Sequence, residues 1–364
     1  MATTAASSRL VSLDAFRGAT MALMVLVNTA GDGDHVYAPL RHAEWNGWTP
    51  TDVVFPSFMW IAGLAMTLSF ARRMAGGATR AQLLRQALRR SAILYLLGLV
   101  VYGFPRFDLS TLRLMGVLQR FAICCLAAAV IWLYTGMRGR VAWLLALLGA
   151  YWALMVLTPV PGYGAGRLDV EGNLAHYVDR IVLGAHNYAH TRTWDPEGIV
   201  STLPAIATVL LGMFAGQLLG MARPLRDRLL RMALGGAVLL AAGLICDHWL
   251  PINKKLWTTS FALFMAGLDC VLLAAVAACS DGLGWRRPLR PFVILGMNAI
   301  AIYMASEIGD TLLSIAGWRE PIYRAVFAPL AAPVNASLLY AVAYTLLMYA
   351  LAYLLYRRGW FFKV

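Results

Sequence analysis

The segment TTSFALFMAGLDCVLLAAVAACS, residues 258–280, is a continuous apolar run in which Asp269 is the one residue of the charged types Asp, Glu, Lys and Arg. A helix needs about 20 mostly apolar residues to cross the hydrocarbon core of a bilayer, and this run is long enough. Nine further apolar runs are found at about 11–30, 53–71, 90–104, 112–134, 141–158, 200–221, 230–247, 291–308 and 337–356. The sequence therefore predicts an all-α, polytopic membrane bundle of about ten transmembrane helices.

The composition supports a membrane protein and excludes several other classes. Of the 364 residues, 60% are hydrophobic and 13% are charged, whereas a typical soluble domain is about 25% charged. This excludes a disordered chain, a collagen-like repeat and a small disulfide-bonded secreted scaffold. The five cysteines lie in apolar runs and form no CxxC motif, so we interpret them as core residues. The polar start MATTAASSRL predicts no cleavable signal peptide.

The distribution of Lys and Arg predicts the orientation in the membrane. If the N-terminus is cytoplasmic, the separate segments on that side together hold nineteen basic and two acidic residues. Arg9 is the first of these basic residues and Lys363 is the last. The opposite side holds ten basic and fourteen acidic residues. Because cytoplasmic loops are rich in Lys and Arg, both termini are predicted to be cytoplasmic. The same alternation predicts a basic cytoplasmic loop at about 72–90 and two long outer loops at about 31–52 and 159–199.

Ionisable residues inside the predicted spans are costly and are therefore candidates for a functional site. Asp14 and Arg17 are three residues apart on one helical face and can pair, either as an ion pair near the cytoplasmic end or as part of a site. Arg120 follows Gln119 inside another span. Its guanidinium needs an acidic partner or an anionic ligand. Asp269 is one candidate partner, and a bound anion is the alternative.

Two asparagines also lie in otherwise apolar segments. Asn28 is near the outer end of the first span, and Asn298 lies in LGMNAIAIYMASE, residues 295–307. Buried amides commonly join membrane helices through hydrogen bonds. For Asn298, helix packing and the lining of a site are equally supported.

The first outer loop contains a candidate general base. His42 lies in RHAEWNG, just before the next span, and Glu44 and Asp52 are close to it in sequence. Imidazole titrates near neutral pH and is the side chain most often used as a general base. We predict that His42 is the base and that Glu44 or Asp52 orients it.

Several other chemistries lack support. His186 and His190 have a spacing that suits zinc on a helix, but neither an HExxH motif nor a third ligand accompanies them, so no metal is predicted. Walker, GxGxxG and GxSxG motifs are absent, which leaves an ATP-driven pump and a dinucleotide enzyme unsupported. The basic segment 72–90 has no interleaved aromatic residues, so no nucleic-acid partner is predicted.

Six blocks of the sequence resemble the heparan-α-glucosaminide N-acetyltransferase family. They are RLVSLDAFRGATMALMVLVN at 9–28, RHAEWNGWTPTDVVFPSFMWIAG at 41–63, GVLQR at 116–120, WDPEGIVSTL at 194–203, LPINKKLWTTSF at 250–261 and LGMNAIAIYMASE at 295–307. The blocks occur in order over most of the chain, which makes the resemblance specific.

The resemblance implies an acetyl transfer across a membrane. Acetyl-CoA would bind from the cytoplasm, and its acetyl group would reach the amino group of a glucosamine-like sugar on the periplasmic side. The family's active histidine corresponds to His42 in HAEWNG, and its partner asparagine corresponds to Asn28. His42 would act as a general base or be acetylated transiently, and Asn28 would donate a hydrogen bond to the oxyanion.

Two sets of residues are expected to bind the substrates. Those expected at acetyl-CoA are Asp14, Arg17, Gln119, Arg120 and Asn298. Those expected at the amino sugar are Trp45, Asn46, Asp52, Asp195, Glu197 and Glu307.

Two short motifs also have ordinary structural interpretations. Asp195 and Glu197 in WDPEG fit the start of a helix, with Pro196 in the first turn and acidic residues near the positive end of the helix dipole. Lys254 and Lys255 in PINKKLW fit interfacial anchors of a membrane helix.

These observations predict a single transmembrane acyltransferase domain over residues 1–364, surrounded by lipid in a bacterial inner membrane. The resemblance also suggests a homodimer, and the small-residue face of Gly212, Gly216 and Gly220 could pack helices within one subunit or between two. The competing function is a secondary transporter of an amino sugar or of its N-acetylated form. A transporter also suits ten spans, but the sequence has neither an inverted repeat nor a matched pair of interrupted helices.

Overall fold

The structure, a computed structural model, describes residues 10–362, so Arg9 and Lys363 of the charge count lie outside the described residues. Over this range the regular elements are helices, and no strand is formed. The α-helices are α1 (Val11–Asn28), α2 (Pro50–Ala75), α3 (Arg80–Gly103), α4 (Val117–Tyr134), α5 (Met137–Leu157), α6 (Leu174–Val182), α7 (Thr202–Leu219), α8 (Leu225–Asp247), α9 (Thr259–Ala277), α10 (Arg290–Met297), α11 (Ala299–Ile315), α12 (Arg319–Ile322) and α13 (Pro333–Arg357). The predicted all-α, polytopic fold class is confirmed.

Among the described residues, eight helices are long and apolar enough to cross a membrane. They are α1, α2, α4, α5, α7, α8, α13 and α9 with the π-turn that extends it to Gly282. The run predicted as one span at 291–308 contains a break, because α10 and α11 meet at Asn298 with a bend of 79°. Together these two helices form a ninth candidate span. The one remaining predicted run, at about 90–104, lies in α3, which is not among these candidate spans. The count of ten spans and the cytoplasmic position of the termini therefore stay predictions.

The prediction that residues 72–90 form a loop is wrong, because most of this basic segment is helical. Helix α2 continues to Ala75 and α3 begins at Arg80. The N–H of Gln82 donates to Thr79 Oγ1 at 3.3 Å, and Gln82 Oε1 accepts from the Thr79 N–H at 2.9 Å, which is a capping box. This cap starts the helix well before the apolar run that marks the predicted span.

The described residues divide into two compact units. The first comprises residues 10–37, 223–233 and 271–362, and in it α1 packs against α10 and α13. The second comprises residues 38–222 and 234–270, and in it α2 packs against α7, α3 against α4, and both α4 and α5 against α7.

In the second unit, glycines allow close approach between α2 and α7. A Cβ atom added to Gly212 would lie 2.0 Å from Trp60 O, and one added to Gly216 would lie 2.6 Å from Leu64 O. Backbones can approach this closely only where a side chain is absent. The predicted small-residue face at Gly212 and Gly216 therefore packs helices within the chain.

The first unit depends on the same kind of contact between α1 and α10. A Cβ atom at Gly296 would lie 2.1 Å from Asp14 O, so we expect Gly296→Ala to push these helices apart and to lower the free energy of unfolding by about 1–3 kcal/mol. Gly149→Ala on α5 is the matched control, since nothing lies within 4 Å of a Cβ there and alanine favours a helix over glycine. Thermal unfolding in detergent compares the two variants. Equal unfolding temperatures would contradict the predicted backbone contact.

Candidate active site

His42 is held by Asp52 at the start of α2. Asp52 Oδ1 lies 2.7 Å from His42 Nδ1, and Asp52 Oδ2 accepts the backbone N–H groups of Ala43 and Thr49, both at 3.0 Å. Pro50 is at the first position of α2, which places Asp52 at the third, where an acidic side chain can turn back to the cap. Of the two predicted orienting residues, Asp52 is the one in contact with the ring.

This contact determines which nitrogen of His42 can act as a base. A carboxylate only accepts hydrogen bonds, so Nδ1 carries the proton and Nε2 carries the lone pair. The His42 side chain is 49% exposed, whereas that of Asp52 is 1% exposed. The arrangement is therefore a buried orienting carboxylate with an accessible imidazole, which is what general-base chemistry needs.

The loop that carries His42 is fixed on the segment before α9. The Gly47 N–H donates to Ile252 O at 2.7 Å, and Asn253 Nδ2 donates to Asn46 Oδ1 at 3.2 Å. Gly47 has a φ of +91°, a backbone conformation that glycine adopts without strain. Trp45 Nε1 donates to the backbone oxygen of residue 168 at 3.0 Å. The polar atoms of Trp45 and Asn46 thus make contacts within the protein, and these two predicted substrate contacts also position the loop.

Lys254 reaches the same site from this segment. Its Nζ lies 3.2 Å from His42 Nδ1, 3.3 Å from His42 Nε2 and 3.7 Å from Asp52 Oδ1. Its neighbour Lys255 donates to Glu44 O at 2.5 Å. The interpretation of Lys254 as a simple interfacial anchor is therefore wrong. The KK pair inside the LPINKKLWTTSF block was the sequence signal for it.

Arg113, which the sequence analysis did not select, is at the centre of a buried ionic cluster. It donates to Asp195 through Nε at 2.8 Å and through Nη2 at 2.5 Å, and Nη2 also contacts Glu197 Oε2 at 2.5 Å. The rings of Tyr102 and Tyr188 lie 4.6 and 4.3 Å from its guanidinium carbon. Burial alone would lower the pKa of Arg113. Its interactions with Tyr102 and with the two carboxylates outweigh burial and raise the pKa of Arg113.

The interpretation of Asp195 and Glu197 as a helix start is wrong, because α7 begins later, at Thr202. The segment before it is held by Asp179, whose side chain accepts the backbone N–H groups of Asp195 at 3.3 Å and Ile199 at 2.9 Å. Burial raises the pKa of Asp179 to about 6. The carboxylates of Asp195 and Glu197 therefore stabilise the fold through Arg113, and any contact with a substrate would be additional.

Arg120 and Gln119 are both fully buried on α4. Arg120 Nη2 donates to Gly198 O at 2.8 Å and to the Ser201 hydroxyl, and its guanidinium lies 5.3 Å from the centre of the Trp257 ring. Gln119 Nε2 contacts the backbone oxygen of residue 113 at 3.5 Å. Arg120 is therefore bonded to the segment that precedes α7.

The pairing of Arg120 with Asp269 that the sequence left open is not formed. Asp269 Oδ1 instead accepts a hydrogen bond from the Ser57 hydroxyl at 2.6 Å. Both residues are fully buried. The presence of one basic and one acidic residue in apolar runs therefore does not show that the two pair. Arg120 donates to neutral oxygen atoms of the protein instead.

His176 is a further buried group that the sequence analysis did not select. Its Nδ1 donates to Val170 O at 2.7 Å, and its ring stacks on Trp194 at 4.0 Å and lies edge-on to Trp45 at 5.6 Å. Burial lowers the pKa of His176 to about 4, so the ring is neutral at pH 7. This ring packing supports Trp45 beside the His42 loop.

The first unit contains its own predicted site residues. Asn28 Nδ2 donates to Glu307 Oε1 at 3.2 Å, which brings together two residues predicted at the amino sugar and the oxyanion. Arg17 Nη1 lies 3.4 Å from Asp14 Oδ1 and 3.5 Å from Gly296 O, so the predicted Asp14–Arg17 pair is formed.

Asn298 has a structural role at the break between α10 and α11. Its Nδ2 donates to Trp360 O at 3.0 Å, and its Oδ1 accepts from the Phe362 N–H at 3.0 Å. Both atoms of the amide therefore bind the C-terminal segment. Of the two alternatives that the sequence left open, these contacts favour helix packing.

Comparison with known proteins identifies the family of this chain. Residues 10–357 match the family model of an acyltransferase domain. The chain is 29% identical to the human heparan-α-glucosaminide N-acetyltransferase, over 98% of this chain and 60% of the human protein, and 27% identical to the mouse enzyme, over 98% and 61%. It thus spans about 60% of the length of these curated relatives. The resemblance found in the sequence is confirmed, and the chain belongs to the acyltransferase family.

Proposed function

We propose that this protein is a membrane acetyltransferase that moves the acetyl group of cytosolic acetyl-CoA to the amino group of a glucosamine-like sugar. The acceptor would lie on the periplasmic side of a bacterial inner membrane. The observation that carries the proposal is the His42–Asp52 pair, with 2.7 Å between Nδ1 and Oδ1 and an accessible ring, in a chain that belongs to an acyltransferase family.

In the proposed reaction, His42 accepts a proton and later donates it. Asp52 accepts the hydrogen bond from the His42 Nδ1–H. The amine nitrogen bonds to the thioester carbonyl carbon, and His42 Nε2 takes a proton from that amine. The C–S bond then breaks, and Nε2 returns the proton to the leaving thiolate. The net products are an N-acetyl amine and free CoA. Transient acetylation of His42 is the alternative route, in which the imidazole takes the acetyl group before the amine attacks.

The residues proposed at the CoA moiety fit a polyanion. Arg17 keeps 26% of its side chain exposed beside Asp14, and guanidinium groups bind phosphates through paired hydrogen bonds. Arg120 and Gln119 are buried, so we propose that they shape the wall of the site. Asn298, which binds the C-terminal segment, would do the same in its own unit.

The residues proposed at the sugar include both acids and amides. Asn28 is exposed and pairs with Glu307, so a substrate group could exchange for either partner. Asp195 and Glu197 accept from Arg113 and would act mainly by holding the segment before α7. Trp45 and Asn46 would contact the acceptor from the His42 loop.

A carrier of amino sugars is the second candidate, because the bend of 79° between α10 and α11 is of the kind that transporters use at binding sites. Proteoliposomes with glucosamine enclosed and labelled acetyl-CoA outside distinguish the two. The acetyltransferase predicts labelled N-acetylglucosamine inside the vesicles. Loss of the enclosed glucosamine from the vesicles without any acetylation would support the carrier and contradict the proposed function.

A further inference from the structure

Lys254 contacts both members of the His42–Asp52 pair, with its Nζ 3.2 Å from His42 Nδ1 and 3.7 Å from Asp52 Oδ1. Its Nζ lies 3.3 Å from His42 Nε2, the nitrogen that accepts the proton in the proposed reaction. Its side chain is 18% exposed, so most of its surface is removed from water. A surface anchor would extend its ammonium group away from the protein, which Lys254 does not do.

The backbone around Lys254 fixes this position. Asn253 Oδ1 accepts the Leu256 N–H at 2.9 Å, and the Asn253 N–H donates to Thr258 Oγ1 at 3.1 Å. The loop contact between Gly47 and Ile252 holds the His42 loop against the same segment. A charged donor and the base are thus presented to each other by two segments that bind through their backbones.

We propose that the ammonium group of Lys254 is a catalytic hydrogen-bond donor to the oxyanion that develops on the thioester carbonyl. This inference rests on the proposed function. An amine that gives its proton to His42 Nε2 brings the attacked carbonyl carbon beside that nitrogen. The oxygen on that carbon is then within reach of a donor that is itself 3.3 Å from Nε2.

Lys254 stays protonated throughout the reaction. As the C–N bond forms, the carbonyl electron pair moves onto oxygen, where Lys254 stabilises it. As the pair returns, the C–S bond breaks, and the thiolate receives the proton held on His42 Nε2. A fixed donor aimed at developing charge is the arrangement that lowers the barrier of acyl transfer.

This role predicts a pH dependence. The groups that face Lys254 are His42 and Asp52 from the loop and α2, Glu197 from the segment before α7, and Lys255 from its own segment. Burial lowers the pKa of Lys254, Lys255 lowers it further, and Asp52 and Glu197 partly compensate. Because the donor must be charged, kcat should fall as the pH rises through this lowered pKa.

The test compares Lys254→Met, Lys254→Arg and the control Lys255→Met in nanodiscs with acetyl-CoA and glucosamine. Lys254→Met should lower kcat by about 10²- to 10³-fold, with little change in KM and no further fall at high pH. Lys254→Arg should recover part of kcat and remove the basic fall, because a guanidinium stays charged. Lys255→Met should have a much smaller effect on kcat, since Lys255 contacts a loop carbonyl and the face of the Trp45 ring.

A binding measurement provides a readout that does not depend on turnover. The probe is a CoA derivative with a tetrahedral methylphosphonate anion in place of the acetyl group, compared with CoA by isothermal titration. Lys254→Met should weaken binding of the methylphosphonate at least tenfold more than binding of CoA. The role of Lys254 would be overturned if Lys254→Met weakened binding of both probes equally, or if it left kcat unchanged while the wild type turns over. A wild type that binds CoA but transfers no acetyl group would overturn the proposed function and this inference with it.

Discussion

Replacing His42 by alanine should lower the kcat of amine-dependent acetyl transfer by about 10²- to 10⁴-fold, the range that a positioned general base contributes. The protein should remain folded, because the His42 side chain is 49% exposed. Asp52 would also keep its hydrogen bonds from the Ala43 and Thr49 N–H groups, so no buried carboxylate is left without partners. Release of free CoA and formation of the N-acetyl product are both measured.

The control for this variant is His35→Ala. His35 is a similarly exposed histidine, and its Nδ1 lies 2.8 Å from Asp32 Oδ2. The two histidines therefore have the same kind of partner, but we assign no chemistry to His35. If His42→Ala kept wild-type turnover, or if His35→Ala lost as much, His42 would not be the base.

Replacing Arg113 by leucine should reduce the free energy of unfolding by about 3–5 kcal/mol, which is the cost of removing one partner from a buried ion pair. Arg113 is bonded to Asp195 and Glu197, and the three side chains are each 8% exposed or less. The substitution would remove the guanidinium that donates to both buried carboxylates. Thermal unfolding of the protein in detergent at pH 7 measures the loss.

Arg167→Ala is the matched control for this prediction. Arg167 binds Asp169 at 2.7 Å, but its side chain is 54% exposed and that of Asp169 is 44% exposed. Exposed pairs contribute about 0–1 kcal/mol, so the unfolding temperature should change little. Similar losses in Arg113→Leu and Arg167→Ala would show that the buried cluster does not stabilise the fold.

The fold was predictable from the sequence because each helix is a local pattern. The run at 258–280 is apolar apart from Asp269 and a few hydroxyl side chains, and its helix follows from that pattern. The break at Asn298 was not predictable, because it depends on hydrogen bonds to Trp360 and Phe362 far along the chain. The first turns of α3 contain several arginines, so they were predicted as a loop. The Thr79–Gln82 spacing of a capping box is visible in the sequence and could have indicated the start of this helix.

The candidate site was predictable where its partners are close in sequence. His42 and Asp52 are ten residues apart, and the start of α2 brings them together. The contact between Lys254 and His42 joins residues 212 apart, and Arg113 is 82 residues from Asp195. Such contacts arise when loops dock on one another, and no local spacing indicates them.

The proposed function is the transfer of acetyl groups from acetyl-CoA to an amino sugar. The most direct measurement follows free CoA and N-acetylglucosamine formed by the purified wild-type protein in nanodiscs, with acetyl-CoA present and glucosamine either added or omitted. We expect both products to accumulate in equal amounts and only when glucosamine is present. Bound acetyl-CoA that stays intact with glucosamine and with every other amino sugar supplied would contradict it.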